Sequence, residues 1–214
     1  MMRNTKLIKF KIDPQKMKEF WNERYADKDY AYGIEPNVFF KTQLETLPKG
    51  QILFPAEGEG RNAVYAAQQG FEVFAFDSSE EGKNKAEHLA KLKNVSLKYS
   101  ISSIEEIDYP QDFFDVIVLI FAHFPAKFRK EYHQKLLTYL KPNGFIIFEA
   151  FSKEQIHNTS GGPKNTEMMF SEEEIKAEFP VINFTLLETV EVNLDEGPFH
   201  QGKASVVRFI GTKK

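Results

Sequence analysis

The chain predicts an α/β fold of the doubly wound kind, an open and mostly parallel sheet with helices on both faces. Three observations carry this reading. From Gln51 onward short β-type runs alternate with helix patterns, which calls for parallel strands joined by crossover helices. Residues 113–121 are apolar almost throughout, as a strand covered on both faces must be. Two closely spaced glycines, Gly58 and Gly60, follow the first strand directly and open a helix.

Each element has its own local warrant. A first helix is expected over Pro14–Tyr25, with Asp13 as N-cap and Pro14 at the first helical position. Residues 30–33 form a Tyr/Gly loop, and Pro36 opens a second helix. The Pro48-Lys49-Gly50 turn introduces the first strand, Gln51–Pro55. The glycine loop feeds a helix carrying Ala63, Val64, Ala66 and Ala67, which stops at Gly70. Residues 71–76 form the second strand, closed by Asp77. Ser78-Ser79-Glu80-Glu81 reads as a capping box with Ser78 as the cap. Residues 95–99 form the third strand and 113–121 the fourth. Pro125 then starts a helix whose Phe128, Tyr132, Leu136 and Leu140 share one face. Asn143-Gly144 turns into a fifth strand, 145–151. Apolar segments 182–192 and 204–211 are joined by the hairpin-like stretch 193–202, so the last strand should run antiparallel. Neither a repeat nor a low-complexity tract interrupts the pattern. The expectation is one domain over 1–214, with 1–47 as a helical cover and 48–214 as the sheet core.

Composition narrows the function. At 214 residues, with 42% hydrophobic and 14% aromatic residues, the chain can bury a substantial core. The 21 phenylalanines point to an aromatic interior or pocket wall. A net charge of -3 gives no field for nucleic acid or an anionic membrane. Arg3, Lys6, Lys9 and Lys11 make only a short basic tail. The absence of cysteine excludes disulfides, thiolate metal sites and a cysteine nucleophile. No apolar run approaches the roughly 20 residues of a membrane helix, and the polar N-terminus lacks a secretory core. A cytoplasmic monomer or homodimer acting on a small molecule is expected.

Ligands of such sheets bind outside the carboxyl ends of the strands, near the topological switch. Four loops qualify: 57–62, 77–79, 102–104 and 121–125. Gly58 and Gly60 let the main chain turn and approach a ligand closely. Asp77, acceptor-only, suits the two hydroxyls of a ribose. The spacing Gly58-x-Gly60-x-x-Ala63 also satisfies the loose dinucleotide pattern, and the intervening residues decide between the two. Glu57 and Glu59 place two carboxylates where a pyrophosphate would lie, and like charges repel. A cofactor without phosphate, bearing a sulfonium and an amino group, fits better. S-adenosylmethionine, with S-adenosylhomocysteine as its product, has these properties. Glu59 itself is expected to face solvent.

Ala56-Glu57-Gly58-Glu59-Gly60-Arg61-Asn62-Ala63 resembles the first motif of class I S-adenosylmethionine-dependent methyltransferases, in particular the tellurite-resistance-like and thiopurine-methyltransferase-like branch. Trp21-Asn22-Glu23-Arg24-Tyr25, Tyr32-Gly33 with Pro36-Asn37, Phe121-Ala122-His123-Phe124-Pro125 and Leu140-Lys141-Pro142-Asn143-Gly144 extend the likeness from about Phe20 to the C-terminus. The chain departs from the family pattern at Phe54, Ala56 and Ser103. The resemblance implies a Rossmann-like sheet of seven strands with the hairpin at one edge. It also implies that Tyr25, Tyr32 and Gly33 cover the methionine end of the cofactor. Glu57, Gly58, Glu59, Gly60, Asn62, Asp77, Ser78 and Phe121 complete the cofactor set, with Ser103 and Ile104 against the adenine. Ser103 fits an ordinary turn hydroxyl equally well. Arg24 reads either as a partner for the methionine carboxylate or as one half of a surface salt bridge.

Methyl transfer is an in-line displacement, so the protein mainly aligns the reactants and removes water. A soft thiol, selenium or tellurium anion needs no obligatory base. His123, after the fourth strand, can orient or deprotonate the acceptor; a structural histidine is an equal alternative. His157, His200 and the loop 160–163 are candidates for a substrate rim, and the histidine spacings match no metal motif. The expected activity is methylation of a small molecule, a thiol or chalcogen oxyanion leading. The rivals are a non-catalytic S-adenosylmethionine-binding protein and a nicotinamide-dependent oxidoreductase.

Overall fold

The structure is a computed structural model that describes residues 14–214. It contains a seven-stranded sheet. In chain order the strands are β1 (Gln51–Pro55), β2 (Glu72–Asp77), β3 (Lys98–Ile101), β4 (Phe114–Ile120), β5 (Leu140–Phe151), β6 (Ile182–Asp195) and β7 (Gln201–Lys213). Their spatial order is β3-β2-β1-β4-β5-β7-β6. Pairings among β1 to β5 are parallel, and β7 runs against both its neighbours. This is the expected Rossmann-like sheet with its antiparallel hairpin at one edge.

The strand pleat divides the core between two faces. Ile52, Phe54, Val116, Val118 and Ile147 pack with Phe39, Phe40 and Leu44 of α2 (Val38–Leu44), Ala63 and Ala66 of α3 (Arg61–Gln68) and Ala86 of α4 (Glu80–Leu92). Leu53, Ile117, Leu119, Ile146 and Phe148 face the other way. They meet Tyr132 and Leu136 of α5 (Ala126–Tyr139) and Ile175 and Phe179 of α6 (Glu172–Glu178). The first helix, α1 (Pro14–Tyr25), lies against α4. The expected cap at Asp13 lies outside the described residues.

Several boundaries differ from expectation. Asn37, not Pro36, starts the second helix, because its side chain accepts the Phe40 N–H at 2.9 Å. Ser79 rather than Ser78 caps α4, accepting the Gly82 N–H at 3.0 Å. The third strand begins at Lys98, since Val95 and Leu97 pack with Val64 and Leu89 where α4 ends. Leu140 continues the apolar period of α5 but pairs with Phe114, so it belongs to β5. Asn143, at φ 61, makes an irregularity inside that strand instead of preceding it. The helix α6 was not expected, although Ser171 and Glu174 form a complete capping box there.

Candidate cofactor and acceptor site

The parallel strands bring their carboxyl ends to one edge, and the chain after β1 turns sharply there. Ala56, Gly58 and Gly60 all have positive φ, at 51, 63 and 87°. Two of these positions admit only glycine for reasons of space. A Cβ on Gly58 would lie 2.5 Å from the Tyr25 hydroxyl, and one on Gly60 would lie 2.5 Å from the Ala86 Cβ. The loop is therefore pressed between α1 above and α4 beside it.

Both loop acids turn inward. Oε1 of Glu57 accepts the N–H groups of Asn62 and Ala63 at 3.0 and 2.8 Å, so it fills the donors at the start of α3. Burial pushes its carboxyl up to about 8, against those two bonds and the charge of Arg61. The obstacle to a phosphate here is occupation of the donors more than charge repulsion. Glu59, expected in solvent, is buried instead. It accepts from Lys85 Nζ at 2.8 Å and from the N–H groups of Ala31 and Tyr32 at 3.1 and 3.4 Å. A buried carboxylate is tolerable when so many donors meet it, and these bonds fasten the 30–33 loop to the glycine loop.

Asp77 ends β2. Its Oδ2 accepts the Gly58 N–H at 3.0 Å and its Oδ1 the Ser79 N–H at 2.9 Å. Burial raises its carboxyl to about 6 against these bonds, to which Ser78 contributes through both backbone and hydroxyl. Each oxygen keeps acceptor capacity for a hydroxyl. Ser79 Oγ also donates to Asn22 Oδ1 at 2.8 Å, which joins α1 to the start of α4.

The cover is aromatic. Tyr25 is buried and stacks on Trp21 at 5.4 Å, with Tyr32 edge-on at 6.4 Å. Arg24 donates to the Tyr32 hydroxyl at 3.3 Å and lies 3.9 Å over the Phe199 ring. Gly33, at φ 71, rests against Gly197. Asn62 joins this cover by accepting the Asn37 N–H at 2.9 Å.

Beyond β4, Phe121 takes a left-handed backbone at φ 51, a costly conformation for a bulky residue. Its ring meets Phe151 at 4.7 Å and His200 at 4.6 Å, while His200 meets Tyr32 at 4.5 Å. His123 lies parallel to Phe151 at 5.9 Å. Its Nδ1 is 3.0 Å from the Met168 carbonyl, and its Nε2 is buried without a hydrogen-bond partner among the described residues. Burial lowers its pKa to about 4; the Met168 bond opposes this, while the charges of His200 and Arg129 add to it. Gly161 and Gly162 roof the group, since a Cβ on the first would strike His200 and one on the second the Phe151 ring.

The remaining candidates fall elsewhere. His157 is exposed at the end of the 3-10 turn Lys153–His157. Ser103 donates its N–H and hydroxyl to Glu106 at 2.9 and 3.0 Å, the local turn role. Ile104 packs in the core with Leu53 and Phe76.

Sequence reasoning missed a buried polar knot next to this site. Asn37 Nδ2 donates to Glu149 at 2.7 Å and to Glu196 at 2.9 Å, and Arg61 pairs with Glu196 at 2.8 Å. His200 Nδ1 lies 3.3 Å from the same Glu196 carboxylate. Burial raises Glu149 to about 7; the Asn37 bond opposes this and the Glu196 charge adds to it. Glu196 is driven the other way, to about 2, because bonds and charge from His200 and Arg61 outweigh its burial. The one available signal was Glu149, a lone acid in the apolar run 145–151.

Residues 52–144 match the family model described as "Methyltransferase domain". Among curated proteins, the chain is 32% identical over 113 residues to the tRNA (uracil(54)-C(5))-methyltransferase of Pyrococcus abyssi, covering 48% of this chain and 27% of that one. It is 31% identical over 107 residues to the ubiquinone biosynthesis O-methyltransferase of Rickettsia akari, covering 50% and 42%. The chain thus spans less than half the length of either relative. Of solved structures, TehB from Haemophilus influenzae superposes with a TM-score of 0.69 at 15% identity, over 92% of this chain and 67% of that one. Magnesium protoporphyrin IX methyltransferase from Synechocystis, solved with bound S-adenosylhomocysteine, superposes at 0.68 and 12%, over 94% and 100%.

Residues 52–144 thus resemble a methyltransferase domain, and the sheet has the fold of the solved methyltransferases on which it superposes. The residues present fit S-adenosylmethionine, the cofactor that the sequence implies. The helix donors that would serve a phosphate are taken by Glu57, while Asp77 keeps acceptors at the strand end.

Proposed function

We propose that this protein methylates a small molecule, with a thiol or other chalcogen nucleophile as the leading acceptor class, in the manner of the tellurite-resistance-like and thiopurine-methyltransferase-like branch. Gly58, Asp77 and Ser78 hold the adenosyl part, and Tyr25, Tyr32 and Gly33 close over the methionine part. The observation that carries the acceptor reading is His123 Nε2, buried and unpartnered beside the rings of Phe151 and Phe170.

The cofactor supplies an electrophilic methyl group on a good leaving group. The rest falls to the chain. Tyr32, Phe121, Phe151 and His200 form an aromatic wall that excludes water and favours a soft, polarisable nucleophile. His123 Nε2 accepts the acceptor's proton, and a bound cofactor would supply the methyl group that takes that proton's place on the acceptor. A neutral imidazole is required for this, and burial keeps His123 neutral at physiological pH. The test is turnover of a panel of thiols and chalcogen oxyanions with S-adenosylmethionine. Methylated thiol as product supports the reading; transfer confined to a tRNA base or a phenol overturns the acceptor class.

A further inference from the structure

A second buried charge cluster lies behind the acceptor site, on the α5–α6 face of the sheet. Arg129 is 4% exposed, and every nitrogen of its guanidinium is engaged. Nε and Nη2 donate to Glu178 Oε1 at 2.9 and 2.6 Å. Nη1 donates to the carbonyls of Met169 and Glu167 at 2.9 and 3.2 Å. Between those two residues stands Met168, whose carbonyl meets His123 Nδ1. The segment is clamped on its other side as well. Phe170 donates to the Phe151 carbonyl and accepts from the Lys153 N–H, both at 3.1 Å.

We infer that Arg129 is a positioning residue for methyl transfer: by holding the Glu167 and Met169 carbonyls it presents the Met168 carbonyl to Nδ1 of His123, fixing the tautomer that leaves Nε2 as the free base. This rests on the reading of His123 as the acceptor's base. A carbonyl only accepts, so a hydrogen bond to Met168 requires the proton on Nδ1. In a neutral ring the lone pair is then on Nε2, the nitrogen left without a partner among the described residues.

The geometry also says why the residue is an arginine. One planar fork reaches a carboxylate on one edge and two carbonyls on another, and its face covers Phe170 at 4.2 Å. A lysine is a point charge and cannot hold both. Arg129 sits in the first turn of α5, which starts at the Pro125 cap just after His123. Ring and anchor are thereby tied to one rigid element. His133 completes the cluster by bonding Glu178 Oε2 at 2.7 Å, and Glu174 lies 3.5 Å from Arg129 Nη2.

The test uses three variants. Arg129→Lys keeps the charge. Arg129→Met combined with Glu178→Gln removes both charges while leaving an acceptor for His133, so no orphaned ion is left buried. His123→Ala reports on the base reading itself. Long-range proton–nitrogen spectra of the wild type should show His123 protonated on Nδ1 across neutral pH, and both Arg129 variants should show mixed tautomers. With a thiol acceptor, kcat should fall roughly 10- to 100-fold in both, with S-adenosylhomocysteine affinity unchanged. The loss should shrink above the thiol's own pKa, where no base is needed. The titratable and charged groups facing His123 are His200 and Arg129, so the pH profile is compared with His200 intact throughout. A wild-type proton on Nε2 overturns the inference, as does a folded Arg129→Lys with wild-type tautomer and pH profile. Full activity in His123→Ala removes the base reading, whereas the spectra still decide whether Arg129 sets the ring.

Discussion

Glu149→Gln should stabilise the protein above neutral pH and leave its stability nearly unchanged in acid. Glu149 is 3% exposed and accepts from Asn37 Nδ2, a bond that a glutamine oxygen can keep. Folding raises its carboxyl from 4.5 to about 7, chiefly by burial. At about 1.4 kcal/mol per decade of proton affinity, that rise is worth about 3 kcal/mol. The sign follows from the direction. A group bound more tightly to its proton in the folded state contributes fully below pH 4.5 and loses that contribution as pH climbs through about 7.

The amide has no proton to lose, so the variant avoids this penalty. Urea denaturation of both proteins at pH 4.5, 6, 7 and 8.5 should give a difference near zero at the acid end. It should rise to about 3 kcal/mol at the alkaline end. Asp77, Glu57, Glu196, His123 and His200 also titrate with altered affinity, but they are common to both proteins and largely cancel in the difference. A difference of the same size at every pH would refute the reasoning, since it would mean that Glu149 does not change protonation on folding.

Three further outcomes are expected. S-adenosylmethionine and S-adenosylhomocysteine should raise the melting temperature, by about 2.7 kcal/mol of stabilisation at 100 times the dissociation constant, while nicotinamide dinucleotides should not; a shift with NAD alone would contradict the filled helix donors at Glu57. Asp77→Ala should weaken cofactor binding by about 1.5–3 kcal/mol, as for hydrogen bonds to a charged group, and unchanged affinity in titration calorimetry would remove Asp77 from the ribose. His123→Ala should keep cofactor affinity and lower methyl transfer by about 10²–10⁴-fold for an acceptor that must be deprotonated, with equal rates at all pH values taking it out of the mechanism.

The sheet was legible because strand burial and helix crossovers leave local marks. Residues 113–121 could be read as a doubly covered strand without knowing its neighbours, and the hairpin connection gave the direction of β7. Where the reading slipped, two local signals competed and a distant contact chose between them. Ser78 and Ser79 both suit a cap. Asp77 draws on Ser78, and Asn22, from α1, accepts from Ser79. Leu140 satisfies the helix period, yet a backbone pairing with Phe114 takes it into the sheet. The start of α6 is different, because Ser171 and Glu174 carried a complete local signal that the apolar pattern around them did not bring out.

The site was legible as a loop and illegible as a network. Gly58, Gly60 and Asp77 announce themselves by spacing, and the Gly58 N–H reaches the Asp77 carboxylate. What holds the cover in place does not. Asn37 joins Glu149 across 112 residues of chain and Glu196 across 159, and separations of that size leave no periodic trace. These links have a common consequence for function. Glu59, Asn62 and Asn37 are each bonded between the cover and the glycine loop or sheet, and Tyr25 lies directly on Gly58. A cofactor cannot reach the cradle beneath Tyr25 without loosening some of those bonds, and the raised affinity of Glu149 for its proton makes one of them sensitive to pH near neutrality. The acids that looked like a phosphate filter in the sequence therefore act in the fold as fastenings, Glu57 on the helix that follows it and Glu59 on the cover above it.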